Sequence, residues 1–457
     1  MAKITFEGAA RSVTGSNYLI ETENSKVLVD CGMYQGFRDA EEENFEKFSY
    51  DPSKLDAVLI THAHIDHTGR VPKLMKRGFS GKVYATEPTA GLMEIMLKDS
   101  QGLLEQEAER HDDHEPLYSS KDVEHALRLF EPISYSKEIQ VTEDIKARFR
   151  DAGHILGSAI IEVWVTEDEK ETKFVFSGDL GNSPTPLLRD RENIEEADYV
   201  LVETTYGNRT HEDVAVRKKI LKKSIEEVID SGGTLMMPIF AIERTQEILY
   251  ELNSLVENKI IPEIPIFLDS PLAIDATKIY RKWTKYFNKR ANKVIASGDK
   301  LFQFPRLKFT YTTQESKAIN DVPTPKVILA GSGMSTGGRI MHHERRYLSD
   351  PNNMLLIIGY QAMGTLGRRL FDGVKEVKIF GERVPVRAKV RAIGGYSAHA
   401  DEAALYDWVN YIHKSGRLKK VFCTHGEEEA ATAFALKVQD EMGVEAYAPE
   451  PGEVFEF

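Results

Sequence analysis

Three histidines and one aspartate fall within six residues of this chain, directly after a short apolar run that predicts a β-strand. The segment covers residues 61–69 and reads THAHIDHTG. On an extended loop, His62 and His64 would point to the same side because side chains alternate in direction. Asp66 and His67 follow and can serve a second ion, since imidazole and carboxylate are both zinc ligands. We interpret the segment as a loop that supplies ligands to two metal ions, in preference to a purely structural interpretation.

This loop cannot complete two sites alone, so the fold must bring ligands from distant parts of the chain. His154 in DAGHILGS and Asp179 in FSGDLG would complete the first ion, and Asp179 would bridge the two ions. His425 in CTHGE would close the second site. Taken alone, His154 or His425 would more often be an ordinary hydrogen-bonded histidine. The dense cluster at 61–69 is what makes them credible as ligands.

Two half-sheets are predicted in the first two hundred residues. Four apolar or alternating runs, from KITFEG to AVLI, form one half, and four more, from IKARFRD to YVLVE, form the other. Helical patterns over 89–110 and 121–130 separate the halves. Sheets with helical layers commonly collect their chemistry at strand ends. The residues just beyond such ends are Asp30, His62, Asp179 and Glu203.

The pattern changes after about Asn208, where strand-like runs alternate with helical stretches until about Gly381. Such alternation predicts a parallel α/β sheet with crossover helices. Further histidines then return at the ends of apolar runs. We therefore predict a first domain over 1–207, an inserted α/β domain over 208–383, and a return to the first domain over 384–457.

Composition excludes several classes of protein. The sequence has no apolar run of the length a transmembrane helix needs, and its first residues do not read as a secretory signal. Cys31 and Cys423 are too few for a disulfide framework, which fits a reducing cytoplasm. The net charge of −13 argues against a protein that coats nucleic acid non-specifically. It is compatible with a local basic groove, because binding depends on where the charges lie.

The HAHIDH cluster, with Asp30 before it and the GH, SGD and THG motifs after it, resembles the metallo-β-lactamase fold. More narrowly, Glu203, His399 in GGYSAHAD and His425, which bracket a long α/β insertion, resemble the β-CASP nucleases. That group includes the eukaryotic pre-mRNA 3′-end cleavage endonuclease, archaeal homologues and bacterial ribonucleases. The resemblance covers essentially the whole chain. It implies an α/β fold, namely an αββα sandwich with an inserted parallel-sheet β-CASP domain, in a minimal two-domain form.

The resemblance also implies a zinc-dependent ribonuclease with two Zn²⁺ ions per chain, for which Mn²⁺ could substitute. Its partner would be RNA, preferably single-stranded, in RNA processing or decay, and the products would carry a 5′-phosphate and a 3′-hydroxyl. Asp66 would orient the nucleophile besides binding metal, and Asp30 would fix a ligand histidine from behind. His399, oriented by Glu203, would protonate the leaving 3′-oxygen.

Two loops of the insertion are expected to hold the RNA. Residues 329–339 form a Gly-rich loop whose backbone N–H groups could cradle phosphate, and residues 359–369 offer an aromatic ring, amides and arginines. The residues singled out are Ser332, Gly333, Met334, Arg339, Tyr360, Gln361 and Arg368. A third stretch, 281–293, interleaves cations with aromatic rings. It fits base stacking on RNA and a solvated amphipathic helix about equally well.

Other functions remain open at this stage. A DNA nuclease of the same family is the closest alternative. A hydrolase of small esters or thioesters would share the metal site but would not need the insertion with its arginine-rich loops. A non-catalytic RNA-binding scaffold would have lost ligands that this chain retains. The sequence also leaves open endonucleolytic or 5′-to-3′ exonucleolytic cleavage, the RNA target, and whether the chain forms a homodimer.

Overall fold

The computed structural model describes residues 2–36, 42–110, 115–211, 214–359, 361–393 and 397–457. The chain forms two compact units. The first contains Met1–Thr185, Arg189–Thr210 and His399–Phe457, and the second contains Pro186–Leu188 and His211–Ala398. Tyr360, one of the residues singled out in the sequence, lies outside the described residues.

The strands and helices follow one another along the chain as the sequence patterns indicate. The strands are β1 (Lys3–Gly8), β2 (Asn17–Glu21), β3 (Lys26–Val29), β4 (Ala57–Leu59), β5 (Lys82–Thr86), β6 (Phe130–Ile133), β7 (Glu138–Gln140), β8 (Ile145–Asp151), β9 (Ala159–Glu167), β10 (Lys170–Phe176), β11 (Tyr199–Glu203), β12 (Thr234–Pro238), β13 (Ile266–Asp269), β14 (Leu307–Phe309), β15 (Lys326–Ala330), β16 (Met354–Ile357), β17 (Glu376–Ile379), β18 (Glu382–Pro385), β19 (Lys389–Ala392), β20 (Lys420–Thr424), β21 (Glu445–Tyr447) and β22 (Val454–Glu456). The α-helices are α1 (Ile65–Thr68), α2 (Val71–Lys76), α3 (Glu87–Arg110), α4 (Ser120–Arg128), α5 (Val214–Ser231), α6 (Arg244–Glu257), α7 (Pro271–Lys282), α8 (Lys289–Ala296), α9 (Thr313–Ala318), α10 (Ile340–Tyr347), α11 (Leu366–Phe371), α12 (Glu402–His413) and α13 (Glu428–Met442). Short 3₁₀ turns cover Pro52–Lys54, Thr284–Tyr286 and Ile319–Asp321.

The described residues of the first unit form two sheets around one apolar core. The first sheet has the strand order β22-β1-β2-β3-β4-β5-β6, and the second has the order β21-β20-β11-β10-β9-β8-β7. The core joins Phe6 and Tyr18 of the first sheet to Phe149, Phe176 and Phe422 of the second. Two sheets that share a core in this way are the centre of a sandwich.

Helices cover the outer sides of both sheets. Trp408 of α12 and Phe434 of α13 pack with Val200 and Val202 of β11 in a second apolar cluster. On the outer side of the first sheet, α3 packs against β5 and β6. These four layers, helix–sheet–sheet–helix, confirm the αββα sandwich predicted from the sequence.

One predicted helix ends earlier than expected. The helical pattern over 121–130 corresponds to α4, which covers Ser120–Arg128. Phe130 begins β6 instead and pairs with Val83 of β5. The local pattern was overridden because this residue adds a strand to the edge of the sheet.

A parallel sheet forms the centre of the second unit, as the strand–helix alternation predicts. Its strand order is β14-β13-β15-β12-β16-β19, and every neighbouring pair is parallel. The edge strands β14 and β19 were not recognised in the sequence. Both are short, and their sequences LKF and KVRA mix apolar and charged residues. Edge strands are only partly covered, so they lack the apolar run that marks a central parallel strand.

The carboxyl ends of these parallel strands meet at one edge of the sheet, where Asp269 at the end of β13 is buried. Its carboxylate accepts hydrogen bonds from Arg339 Nη1 at 2.7 Å, Thr310 Oγ1 at 2.7 Å, Ser316 Oγ at 2.6 Å and His343 Nε2 at 2.8 Å. Arg339 also donates to the carbonyl groups of Thr310 and Tyr311, at 2.9 and 2.5 Å. Asp269 therefore ties the end of the Gly-rich loop to β13 and to the segment after β14.

We expect Asp269→Asn to destabilise the second unit in a pH-dependent way. Burial alone would raise the pKa of Asp269, but the hydrogen bonds from His343, Ser316, Thr310 and Arg339 outweigh burial and lower it from 3.8 to about 2. The stability that the carboxylate contributes is therefore fully present above pH 3.8 and is lost as the pH falls towards 2. Wild type should exceed the variant by about 1–3 kcal/mol at pH 6, and this difference should shrink at pH 3.

Urea unfolding at several pH values measures this difference. Asp372→Asn is a suitable control, because Asp372 is an exposed helix-surface partner of Arg368 and its loss should cost little at any pH. A deficit of Asp269→Asn that is equal at pH 6 and pH 3 would contradict the assigned role of the ionised carboxylate.

Candidate metal centre

The loop of residues 61–69 is held in place by the segment that follows β3. The N–H groups of Cys31 and Met33 donate to two carbonyl groups of this loop, each over 2.9 Å. Between them, Gly32 lies so close that an added Cβ would stand 1.6 Å from the carbonyl oxygen of Asp66. Only glycine permits such an approach of two backbones. The ligand-bearing loop therefore has a fixed backbone before any metal binds.

Four side chains converge to form a first ligand group, which comprises His62, His64, His154 and Asp179. Nδ1 of His64 lies 3.0 Å from Nε2 of His62 and 3.3 Å from Nε2 of His154. Oδ2 of Asp179 lies 3.3 Å from each of those two Nε2 atoms. The structure therefore brings together the residues that the sequence predicts for the first ion.

A second ligand group comprises Asp66, His67 and His425. Nε2 of His67 and Nε2 of His425 are 2.9 Å apart, and Oδ2 of Asp66 lies 3.3 Å from the latter. The other oxygen of Asp179, Oδ1, is 3.3 Å from His67 Nε2 and 3.6 Å from His425 Nε2. Asp179 thus presents one carboxylate oxygen to each group, as a bridging ligand would.

Both groups fit divalent metal ions. Four ligands about 2.0–2.1 Å from a tetrahedral zinc ion stand about 3.3 Å from one another, which is close to most spacings in the two groups. Both oxygens of Asp179 are buried and accept no hydrogen bond from a described residue, and the same holds for Nδ1 of His154. Buried polar atoms are normally paired, so an uncompensated carboxylate of this kind points to a cation.

The protonation of these side chains also suits metal binding. Burial, with the charge of His67, lowers the pKa of His62 to about 4, and burial holds the pKa of His154 well below its ordinary value. Burial would raise the pKa of Asp179, but the imidazoles of His425, His67 and His62 outweigh it and hold that pKa well below the usual range. Neutral imidazole and ionised carboxylate are the forms that bind metal.

Asp30 supports the second group from behind. Its Oδ2 lies 2.7 Å from Nδ1 of His67, the ring nitrogen that faces away from the other ligands. Thr61 holds this carboxylate in turn, because its N–H donates to Oδ1 and its hydroxyl donates to Oδ2, both over 2.8 Å. The backbone φ of Asp30 is +60°, a conformation rare outside glycine and often found at functional sites.

Glu203 and His399 form a pair beside the first ligand group. Nδ1 of His399 lies 3.2 and 3.1 Å from the two carboxylate oxygens of Glu203. Glu203 also accepts a hydrogen bond from the N–H of Leu180, next to Asp179. Burial alone would lower the pKa of His399, but the carboxylates of Glu203 and Asp179 outweigh it and raise the pKa to about 9. The side chain of Glu203 is fully buried, whereas that of His399 is partly exposed.

Several residues around the centre were not recognised in the sequence. The hydroxyl of Ser158 accepts the N–H of His154 at 3.0 Å, and the hydroxyl of Thr205 lies 3.2 Å from Nδ1 of His425. Arg191 donates to the carbonyl of Gly181 at 2.9 Å, and Gly181 pairs with His399 in an isolated β-bridge. Hydroxyl groups near ligand motifs are a weak signal, and nothing in the sequence pointed to Arg191.

The residues predicted to bind RNA join two loops of the second unit. Nε2 of Gln361 donates to the carbonyl of Gly333 at 2.9 Å, and the carbonyl of Met334 accepts the N–H of Gly367 at 3.0 Å. The hydroxyl of Ser332 closes its own loop by accepting the N–H groups of residues 336 and 337. Two predicted cations already have partners. Arg339 is bound by Asp269, and Arg368 donates to Asp372 at 3.0 Å.

Comparison with known proteins agrees with this architecture. Residues 11–224 match the metallo-beta-lactamase superfamily, residues 245–370 match the Beta-Casp domain, and residues 383–449 match the Zn-dependent metallo-hydrolase RNA specificity domain. A solved structure of a protein of unknown function from Enterococcus faecalis covers 99% of both chains at a TM-score of 0.56 and 11% identity. That likeness concerns the fold alone.

Similar sequences extend over the whole chain. A ribonuclease from Thermus thermophilus is 41% identical over 93% of this chain and 94% of its own length. An RNase J-like protein from Methanocaldococcus jannaschii is 33% identical over 99% of both chains, and a transcription termination factor, FttA, from Methanosarcina mazei is 33% identical over 98% of this chain and 70% of its own. The chain therefore belongs to the β-CASP ribonuclease family of the metallo-β-lactamase superfamily, whose members are metal-dependent hydrolases.

Asp179→Asn should lower the content of bound divalent metal in both ligand groups. The amide keeps the shape of the side chain but removes the negative charge that both groups share, so neither group retains a full set of anionic and imidazole ligands. Elemental analysis of the purified protein after dialysis measures the change. Asp190→Asn serves as the control, since Asp190 is nearby but exposed and outside both groups. Metal content equal to wild type in Asp179→Asn would contradict a bridging position.

Proposed function

We propose that this chain is a ribonuclease that uses two Zn²⁺ ions to hydrolyse RNA phosphodiester bonds, leaving a 5′-phosphate and a 3′-hydroxyl. The observation that carries the proposal is the position of Asp179, which turns one carboxylate oxygen towards each of two ligand groups. The printed names of the relatives, a ribonuclease and an RNase J-like protein, favour RNA over DNA or a small ester as the substrate.

Each side chain of the centre has a proposed task. Bound zinc supplies Lewis acidity that activates water and neutralises phosphate oxygens. His62, His64, His154 and Asp179 hold one ion, and Asp66, His67 and His425, with Asp179, hold the other. Asp30 fixes the ring of His67 through its second nitrogen, as carboxylates commonly do for ligand histidines. Asp66, the more exposed carboxylate of the centre, also orients the attacking water.

The proposed bond changes follow from these positions. The oxygen of water forms a bond to phosphorus as the bond between phosphorus and the 3′-oxygen breaks. His399 gives its proton to that leaving oxygen. Because Nδ1 of His399 faces Glu203, the transferred proton would come from Nε2. Glu203 keeps the ring oriented and stabilises its charged form. The water proton passes to solvent.

The domain division predicted from the sequence is proposed as well. The segments 1–207, 208–383 and 384–457 would be the first part of the sandwich, the β-CASP insertion and the C-terminal return. The three family matches support this division. The strand β19, within the third segment, pairs with β16 of the inserted sheet. A cytoplasmic location is proposed too, in keeping with the free thiols of Cys31 and Cys423. A homodimer stays a prediction.

The substrate class can be tested with matched single-stranded RNA and DNA oligonucleotides of one sequence, each incubated with zinc or manganese. We expect hydrolysis of the RNA and end groups of 5′-phosphate and 3′-hydroxyl. A circular RNA of that sequence distinguishes the two modes, because only an endonuclease cuts a circle. Faster hydrolysis of DNA than of RNA would overturn the proposed substrate class.

His399→Ala should lower kcat by about 100-fold or more while leaving both metal ions bound, because the leaving oxygen then lacks its proton donor. Metal content and hydrolysis rate are measured on the same preparation. A substrate whose 3′-oxygen is replaced by sulfur needs little protonation, so the variant should cleave it nearly as fast as wild type. A variant that retains its metals and cleaves ordinary RNA at the wild-type rate would refute the role of His399.

A further inference from the structure

The cations of this acidic protein are concentrated in one segment of the second unit. Residues 278–308 contain ten basic residues and a single acidic one, Asp299, although the whole chain carries a net charge of −13. All ten basic residues are exposed. We call this set the basic face: Lys278, Arg281, Lys282, Lys285, Lys289, Arg290, Lys293, Lys300, Arg306 and Lys308. Such segregation of charge in an acidic chain indicates an anionic partner.

Most of these cations have no carboxylate to neutralise them. Lys278 pairs with Asp275 at 3.0 Å. Within the described part of the chain, no carboxylate lies at ion-pair distance from seven of them, namely Arg281, Lys282, Lys289, Arg290, Lys293, Arg306 and Lys308. By contrast, surface cations elsewhere in the second unit, such as Arg345 and Lys389, do have carboxylate partners. The positive potential of the basic face is therefore left largely uncompensated.

Helix geometry places the cations side by side. Lys278, Arg281 and Lys282 are three and four residues apart on α7, which puts them on one side of the helix. Lys289, Arg290 and Lys293 are related in the same way on α8. The guanidinium of Arg281 also donates to the carbonyl of Phe302 at 2.5 Å, which joins α7 to the loop that carries Lys300 and Arg306.

Half-exposed aromatic rings lie among the cations. The ammonium groups of Lys282 and Lys285 lie 5.0 and 4.9 Å from the ring of Trp283. Lys278 lies 4.6 Å from the ring of Tyr311. Cations that alternate with aromatic rings are what single-stranded nucleic acid requires, because phosphates and bases then find their own partners along one strand. A lipid surface or an acidic protein requires the charge but not the rings.

The basic face is continuous with the loops already expected to hold RNA. The backbone carbonyl of Tyr311 accepts a hydrogen bond from Arg339, the last residue of the Gly-rich loop. The ring of Tyr311 meets Lys278 of the basic face. A strand of RNA bound along the Gly-rich loop could therefore continue onto this surface within the same unit.

We propose that the basic face is an accessory binding surface for single-stranded RNA, with phosphates at the lysine and arginine groups and bases against Trp283 and Tyr311. The proposal rests on the proposed ribonuclease function and extends it, because this surface would bind nucleotides other than those at the metal centre. Its effect should depend on substrate length. RNA too short to reach it should be hydrolysed normally, and longer RNA should gain affinity from it.

The test uses the full chain with three exposed cations of α8 replaced, Lys289→Gln, Arg290→Gln and Lys293→Gln. Its matched control removes three exposed cations of the β17–β18 hairpin region, through Lys375→Gln, Lys378→Gln and Arg383→Gln. Both variants change the net charge equally. Binding of a single-stranded RNA of about 30 nucleotides is measured with EDTA present, and hydrolysis of RNAs of about 6 and 30 nucleotides is measured with zinc.

For the α8 variant we expect the Kd for the long RNA to rise about tenfold, and the salt dependence of log Kd to fall by about 2, since each phosphate contact with a single strand contributes about 0.7. The control should stay close to wild type. The kcat/KM for the short RNA should be unchanged in both. Trp283→Ala should weaken binding of the long RNA by about tenfold, and Trp283→Phe should retain most of the affinity.

Three results would overturn the proposal. One is wild-type affinity of the α8 variant for long RNA, and another is an equal loss in the hairpin control. The third is binding of anionic phosphatidylserine vesicles that depends on α8 more strongly than RNA binding does, which would make the surface a membrane-binding one. Failure of the proposed function has a separate signature, because wild type would then bind the long RNA without hydrolysing either RNA.

Discussion

The first unit depends on the compensation of one buried negative charge, that of Asp179. A carboxylate taken out of water is costly unless cations or hydrogen bonds replace its hydration. Neither oxygen of Asp179 accepts a hydrogen bond from a described residue, and imidazole nitrogens from both sides stand within 3.6 Å. Metal ions between these groups would provide that compensation. The ligand loop after β4, its contact with residues 31–33 and the return of β20 into the second sheet all serve to surround this carboxylate.

Sequence patterns revealed the fold class and the residues of the metal centre because both follow from local rules. Apolar runs of strand length are visible one at a time, and the HAHIDH cluster is too dense to arise from packing needs. Contacts that depend on tertiary structure were not visible. Arg191 reaches the carbonyl of Gly181, and Thr61 holds Asp30, through approaches of chain segments that no spacing encodes. The edge strands β14 and β19 were missed because their sequences lack an apolar run.

Arg339 illustrates how a chemically suitable residue can be engaged elsewhere. An arginine at the end of a Gly-rich loop suggests phosphate binding, but its guanidinium is bound to Asp269 and to two backbone carbonyls. Its contribution to RNA binding would then be to shape the loop. The exposed cations of the basic face lack comparable partners. Charge content in a sequence is therefore a weaker guide to nucleic-acid binding than the distribution of unpaired charge on the folded surface.

The parallel pairing of β20 with β11 has a consequence for the biosynthesis of this protein. His425 immediately follows β20, whereas the other metal ligands all precede residue 180 and the whole β-CASP insertion. On the ribosome, the ligands of the first group emerge long before His425 does. A hydrolytic centre that needs both groups would thus stay incomplete until the inserted unit has been synthesised. The order of ligands along the chain would delay activity and protect the messenger and ribosomal RNA beside the growing polypeptide.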